Sequence, residues 1–216
     1  MRVLSVNIGI PKEIPWQSKM VTTGIFKKEV NEPIFLDIED VKDDHVMDRK
    51  NHAGADKAVY AYAKEHYDYF KKLYPTITFY NGIFGENLTV AGLFETEIHI
   101  GDVFQIGEAI IQVSQPRIPC YKLGIVFNNQ QVIKQFLNTT YCGFYFRILK
   151  KGFVKKEDEI ILLEKATNSL SVADVFSIYT TNKHNRTLIN KIIKLPFLAK
   201  NSKKRIQKRL KLIENV

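Results

Sequence analysis

Short β-branched runs broken by glycine and proline fill most of the first 165 residues of this 216-residue chain, and that rules out a helical bundle. Residues 1–8, 20–25, 33–36, 143–149 and 159–163 each read as a strand between turn residues. Such side chains suit a pleated, half-buried surface, and turns at this spacing are the pattern of a barrel or sandwich. In 97–113 an alternating pattern and the turn signals Gly101-Asp102 and Gly107-Glu108 predict strands of one closed sheet, with His99 facing outward between two isoleucines. Lys27 and Lys28 look like a solvated basic pair at a strand end. Helical periodicity is confined to two places in this part. Tyr62, His66, Tyr69, Phe70 and Leu73 recur at three- and four-residue intervals and predict an amphipathic helix over 63–73, stopped by Pro75, with His66 on its face. Residues 128–137 predict a second helix with Val132, Ile133, Phe136 and Leu137 inward. The fold class is therefore mainly β with α, an α+β protein.

Near Lys165 the composition changes. Ser171-Val172-Ala173-Asp174 has the spacing of a helix start, with Ser171 as cap and a carboxylate in the first turn. Helices are predicted over about 171–180, 185–194 and 200–213, punctuated by Asn182 and Pro196. The expected division is a β domain at 1–166 and a basic three-helix domain at 167–216. The net charge of +9 follows the same division. Residues 1–182 hold 21 Lys/Arg against 22 Asp/Glu, and 183–216 hold 11 against 1. The body is near neutral, so the overall basicity says nothing about the body's ligand. The run Lys203-Lys204-Arg205 with Lys208, Arg209 and Lys211 reads first as a solvated face and second as a patch for an acidic partner or nucleic acid.

Chemistry concentrates in one stretch, residues 114–123, Ser-Gln-Pro-Arg-Ile-Pro-Cys-Tyr-Lys-Leu. It follows the apolar run 109–113, and its two prolines push Gln115 and Ile118 toward extended geometry, so the chain leaves a strand as a stiff loop. The loop ends at Cys120, flanked by Arg117 and Lys122. Cations favour thiolate over thiol, which makes such a cysteine a candidate nucleophile or soft-metal ligand; the plainer alternative is a small buried apolar residue. Two further loops are polar. Residues 48–62 gather Arg49, Lys50, His52 and Lys57 around Gly54, as an anion-binding loop or an ordinary surface turn does. Residues 81–90 place Gly82, Gly85, Glu86 and Asn87 in a tight loop feeding a strand.

Taken in order, these blocks resemble the MOSC family, named for the C-terminal domain of molybdenum cofactor sulfurase, and most of all its YiiM-like branch, associated with resistance to 6-N-hydroxylaminopurine. The matching pieces are residues 52–58 (His-Ala-Gly-Ala-Asp-Lys-Ala), 84–88 (Phe-Gly-Glu-Asn-Leu), Gly101-Asp102, the cysteine loop and 143–147 (Gly-Phe-Tyr-Phe-Arg). The likeness covers roughly 1–165, and the tail is similar to the three-helix domain that follows in this branch. The resemblance implies a MOSC-type β-barrel that binds the molybdenum cofactor, a molybdopterin. It makes Cys120 the molybdenum-bound thiolate, and so the catalytic residue, with His52, Lys57, Asn87, Arg117 and Lys122 as cofactor-binding partners. Ala53 and Lys57 stand where the family more often has glycine and arginine. Lysine keeps the charge there without the bidentate fork.

The function implied is reduction of N-hydroxylated compounds such as hydroxylaminopurine-type bases. No flavin or nicotinamide fingerprint and no iron–sulfur cysteine set is visible, so a separate flavoprotein electron donor is expected. The alternatives are a non-catalytic carrier of the cofactor or of sulfur on Cys120, and a nucleic-acid-binding protein acting through its tail, ranked last because the body is not basic. Two cysteines and no apolar run near 20 residues point to the cytoplasm, without a membrane partner. The sequence leaves the oligomeric state open between monomer and homodimer.

Overall fold

The computed structural model describes residues 1–49 and 53–214. Eight strands form one sheet: β1 Arg2–Gly9, β4 Lys27–Val30, β6 Val59–Ala63, β7 Leu88–Ala91, β8 Val103–Ile106, β9 Ala109–Pro116, β10 Phe144–Lys150 and β12 Ile160–Glu164. Two small sheets flank it, β2 Lys12–Trp16 with β3 Lys19–Thr23, and β5 Ile34–Leu36 with β11 Gly152–Val154. The order in the large sheet is β12-β8-β9-β10-β6-β7-β1-β4, and all pairs are antiparallel except β6 with β7.

The closed barrel expected from the sequence is not a closed ladder. β12 and β4 are edges. What links the β12 end back to β1 is a set of backbone bonds, Val3 N–H to Asp158 O, Glu157 N–H to Val3 O and Ile160 N–H to Met1 O, each 2.9 Å. They satisfy groups that an open edge would leave bare.

Residues 97–101 form no strand. Ile98 and Ile100 are buried as alternation demands, but the segment is a turn around Asp102. That carboxylate accepts from the His99 and Ala166 amides at 2.8 Å and from Lys165 Nζ at 2.9 Å. Local carboxylate–backbone bonds of this kind compete with a ladder. Lys27 is likewise no solvated residue: its side chain is 7% exposed and paired with Asp44, 2% exposed. Alternation on β4 turns Lys28 outward and Lys27 in.

The first predicted helix begins later than its periodicity suggests. Val59–Ala63 is strand, Lys64–His66 is a 3₁₀ turn, and α1 covers Tyr67–Leu73. After the cysteine loop come α2, Tyr121–Val126, too short to show a helical period in the sequence, and α3, Gln131–Leu137, with Val132 and Phe136 buried and Ile133 and Leu137 half-buried. Phe70, Phe84, Phe127 and Phe136 are at most 1% exposed and pack with Tyr62 and Tyr67 into one aromatic core. Each large apolar side chain fully buried contributes about 1.5–3 kcal/mol, so this cluster is a substantial part of the core's stability.

The tail forms α4, Val172–Ser177, α5, Arg186–Lys194, and α6, Lys200–Glu214. Ser171 and Asp174 make the reciprocal capping box that their spacing predicts. Ile178, Ile189, Ile192 and Ile206 are buried in the same continuous core as the sheet residues.

Candidate functional site

The strand that carries the cysteine loop is held on both sides, β9 lying between β8 and β10. Past Pro116 the Arg117 amide still bonds Gly143 O at 3.2 Å, so the loop stays tied to the start of β10. The chain then reaches Cys120 in extended conformation (φ −123°, ψ 168°), and α2 begins at the next residue. Cys120 is partly exposed, Cys142 is buried, and both are free thiols.

Cys120, Arg117 and Lys122 form one wall of a cleft that encloses about 680 Å³ including its open mouth. Lys57, Ala58 and Tyr60 contribute a second wall, Asn87 and Gly85 a third, and Tyr145 lies between. Five of the site residues expected from sequence, Cys120, Lys57, Asn87, Arg117 and Lys122, thus line one cleft, although three separate loops supply them. His52 lies outside the described residues.

Residues 44–48 are the wall that sequence reasoning missed. Two glycines fix where it sits. A Cβ on Gly9 would fall 2.1 Å from Gly24 O, and one on Gly24 would fall 1.9 Å from His45 O, so three backbone segments stack without side chains between them. The His45 amide donates to Gly9 O at 3.1 Å, and the Gly9 amide donates to Asp44 Oδ1 at 2.7 Å. Asp44 Oδ2 accepts from Lys27 Nζ and, at 3.0 Å, from Asn87 Nδ2. The available signal was strand alternation, which sends one lysine of the 27–28 pair inward to find a carboxylate. The sequence offers Asp40, Asp43 and Asp44 with nothing to choose among them.

Asn87 is already committed. Its Nδ2 also donates to Asn7 O at 3.3 Å, and its Oδ1 accepts from the Tyr60 amide at 3.4 Å. It ties the second and third walls together and has little left for a ligand. The positive φ of the neighbouring polar loop falls at Gly54 (98°), with nothing within 4 Å of a Cβ there, so Ala53 is not asked to adopt it.

Arg117 stands apart. It is 5% exposed, its guanidinium lies 5.3 Å from the Tyr60 ring centre and 5.1 Å from that of Phe136, and its Nη1 has no hydrogen-bond partner. Burial works against its charge, yet Tyr60, Tyr145 and Cys120 beside it hold its pKa above the ordinary guanidinium value. Burial pushes both tyrosine hydroxyls up, and Tyr60 donates its hydroxyl hydrogen to Cys142 O at 3.0 Å. Lys57 is half-buried, and burial, followed by the nearby charge of Arg205, lowers its pKa. A cleft with an unsatisfied buried guanidinium, two further ammonium groups and an accessible thiol suits an anionic ligand that also presents a soft metal.

The tail reaches this rim. Asp56, next to Lys57, accepts from Arg147 at 2.7 and 3.0 Å and from the Lys200 amide at the start of α6 at 3.0 Å. Ser114 Oγ donates to Asp56 O at 2.5 Å, and the Ala199 amide donates to Ser114 O at 3.0 Å.

Comparison with known proteins agrees on one family. The MOSC domain matches residues 48–161. The uncharacterised protein YflK of Bacillus subtilis is 39% identical over 191 residues, 88% of this chain and 86% of that protein. The crystal structure of YiiM from Geobacillus stearothermophilus superposes with a TM-score of 0.82 at 33% identity, covering 97% of this chain and 98% of that one. A Gibberella moniliformis protein named a reductase is 31% identical over 82% of this chain, which spans only 32% of its length.

Proposed function

The chain belongs to the MOSC domain family, in its YiiM-like branch, and from that premise we propose that it is a molybdenum-cofactor-dependent reductase of N-hydroxylated compounds, hydroxylaminopurine-type bases among them. The observation that carries the reading is Arg117, a buried cation lining the cleft beside Cys120 whose Nη1 lacks an acceptor. Leaving a buried charged donor unpaired costs several kcal/mol, roughly, so a protein keeps one where a ligand completes it. The residues present fit the cofactor: a thiol for the metal, and Arg117, Lys57 and Lys122 for the phosphate and the pterin edge. The name of the Gibberella relative supports the same class of chemistry.

When bound, the cofactor supplies a two-electron metal centre able to take an oxygen atom from nitrogen. The overall change is R–NH–OH plus two electrons and two protons to R–NH₂ plus water, the N–O bond breaking and an N–H bond forming. The electrons come from a separate reduced flavoprotein, which is oxidised by two electrons per turnover. In this reading Cys120 would hold the metal, and the buried Arg117 would anchor the cofactor from the same wall of the cleft. Asn87 and Asp44 keep the walls in register, and Tyr60, with its hydroxyl committed to Cys142 O, packs its ring under the Arg117 guanidinium. The reaction takes place in the cytoplasm, on small-molecule substrates, in a monomer or homodimer.

The test is turnover of 6-N-hydroxylaminopurine by cofactor-loaded protein with dithionite as reductant. The expected result is conversion to adenine, lost in Cys120→Ser while the fold is retained. Cofactor handed on to an acceptor protein without any conversion would replace the enzyme with a carrier.

A further inference from the structure

Two features remain unexplained, and each accounts for the other. The reading above needs electrons delivered by another protein at every turnover. The tail carries 11 cations against 1 acid over residues 183–216, on a body that is near neutral. We propose that the exposed basic face of α6 is the docking surface for an acidic electron-donor flavoprotein. This rests on the reductase reading.

Four of the seven cations of α6 are arranged on one side of the helix, with Lys203, Arg205 and Arg209 at other angles. Lys200, Lys204, Lys208 and Lys211 are exposed at spacings of four, four and three, which places them along one stripe of the helix. Ile206 and Ser202 are buried on the opposite side and fix the helix against the body. None of the four lysines enters an ion pair among the described residues. From Lys204 to Lys211 the stripe extends about 10 Å at 1.5 Å per residue, more than one small anion can use.

The stripe also has a place. Its first residue donates its amide to Asp56, the neighbour of cleft residue Lys57, and Arg205 is close enough to lower the Lys57 pKa. A partner lying along α6 therefore has one end at the cleft mouth, where a flavin must come to deliver electrons. A nucleic acid would use the same charges but gives no reason for them to begin at the cleft. Clustered charge of one sign steers an oppositely charged protein and raises its on-rate more than its final affinity, and salt screens the effect.

The experiment compares wild type with Lys204→Glu/Lys208→Glu/Lys211→Glu, three exposed positions outside the cleft, both loaded with cofactor. Each is driven once by dithionite and once by reduced flavodoxin, a small acidic FMN protein, and binding of oxidised flavodoxin is measured by calorimetry. The expected result at low ionic strength is a drop of about tenfold or more in kcat/KM for flavodoxin. Dithionite turnover should stay within about twofold, and the salt dependence of the flavodoxin reaction should disappear in the variant. Equal flavodoxin binding and kinetics in both proteins overturn the docking surface. So does a variant that keeps its flavodoxin kinetics and loses salt-dependent binding to single-stranded DNA. Wild type inactive with dithionite would overturn the reductase reading instead, with the calorimetry still deciding whether the face binds an acidic protein.

Discussion

Two buried charged groups sit on either side of the segment 141–145, and one is complete where the other is not. Glu95, 2% exposed, accepts from the Gly143 amide at 2.6 Å through one oxygen and meets His66 Nε2 at 2.7 Å through the other. His66 in turn stacks on Tyr141 with ring centres 4.0 Å apart. Arg117, whose amide bonds Gly143 O, has equally aromatic surroundings and an Nη1 with no acceptor. Burial is the same, so burial alone does not mark a functional charge. The difference is whether the protein itself supplies every partner, as it does for Glu95 and does not for Arg117.

That contrast breaks most directly at Glu95. Glu95→Ala leaves His66 and the Gly143 amide unpaired in the core, and a loss of about 3–5 kcal/mol is expected from urea unfolding. Arg117→Met removes a buried charge that lacks one partner and fills the same space, so without cofactor its stability should match or exceed that of wild type. Cofactor retention, read by molybdenum and pterin content, should nonetheless fall by more than tenfold. If Arg117→Met unfolds as readily as Glu95→Ala, Arg117 is a structural charge and the comparison collapses.

Glu86 sharpens the comparison from between these cases. Its Oε1 accepts from Tyr67, from the Gly82 amide at 3.0 Å and from Thr89 Oγ1 at 3.0 Å, while its Oε2 has no partner. Burial raises its carboxyl above the ordinary value of 4.5. A raised folded pKa gives stability that is fully present below the ordinary carboxylate range and lost as pH rises through the folded pKa. Glu86→Gln should therefore gain stability relative to wild type as pH rises from about 4 to about 8, and a constant difference over that range would mean the carboxyl does not titrate there. The smallest effect belongs to the open surface. Arg2 and Glu157, 60% and 59% exposed, pair at 3.3 Å, and Arg2→Ala should cost under about 1 kcal/mol in the same unfolding assay.

Much of the fold was legible because local rules agreed with tertiary packing. Ser171 and Asp174 cap α4 as their spacing says, and the strand under the cysteine loop leaves the sheet at its two prolines. The failures share a cause. Residues 97–101 alternate like a strand, yet the carboxylate of Asp102 captures their amide, and Lys27 looks solvated until Asp44 arrives from 17 residues away. Polar pairs carry no period, whether their members lie three residues apart, as His99 and Asp102 do, or 17, as Lys27 and Asp44 do, so hydrophobic patterning does not reveal them. The cleft was half visible for the same reason. Cys120, Arg117 and Lys122 lie within one loop, whereas the wall at 44–48 is set by backbone stacking on Gly9 and Gly24.

The most direct measurement is molybdenum per chain in wild type and Cys120→Ser after loading with free cofactor. The account predicts stoichiometric molybdenum in wild type and its loss in the variant, with both proteins folded. Equal molybdenum in the two, or none in either under conditions that load a MOSC relative, would contradict the thiolate ligand on which the reading stands.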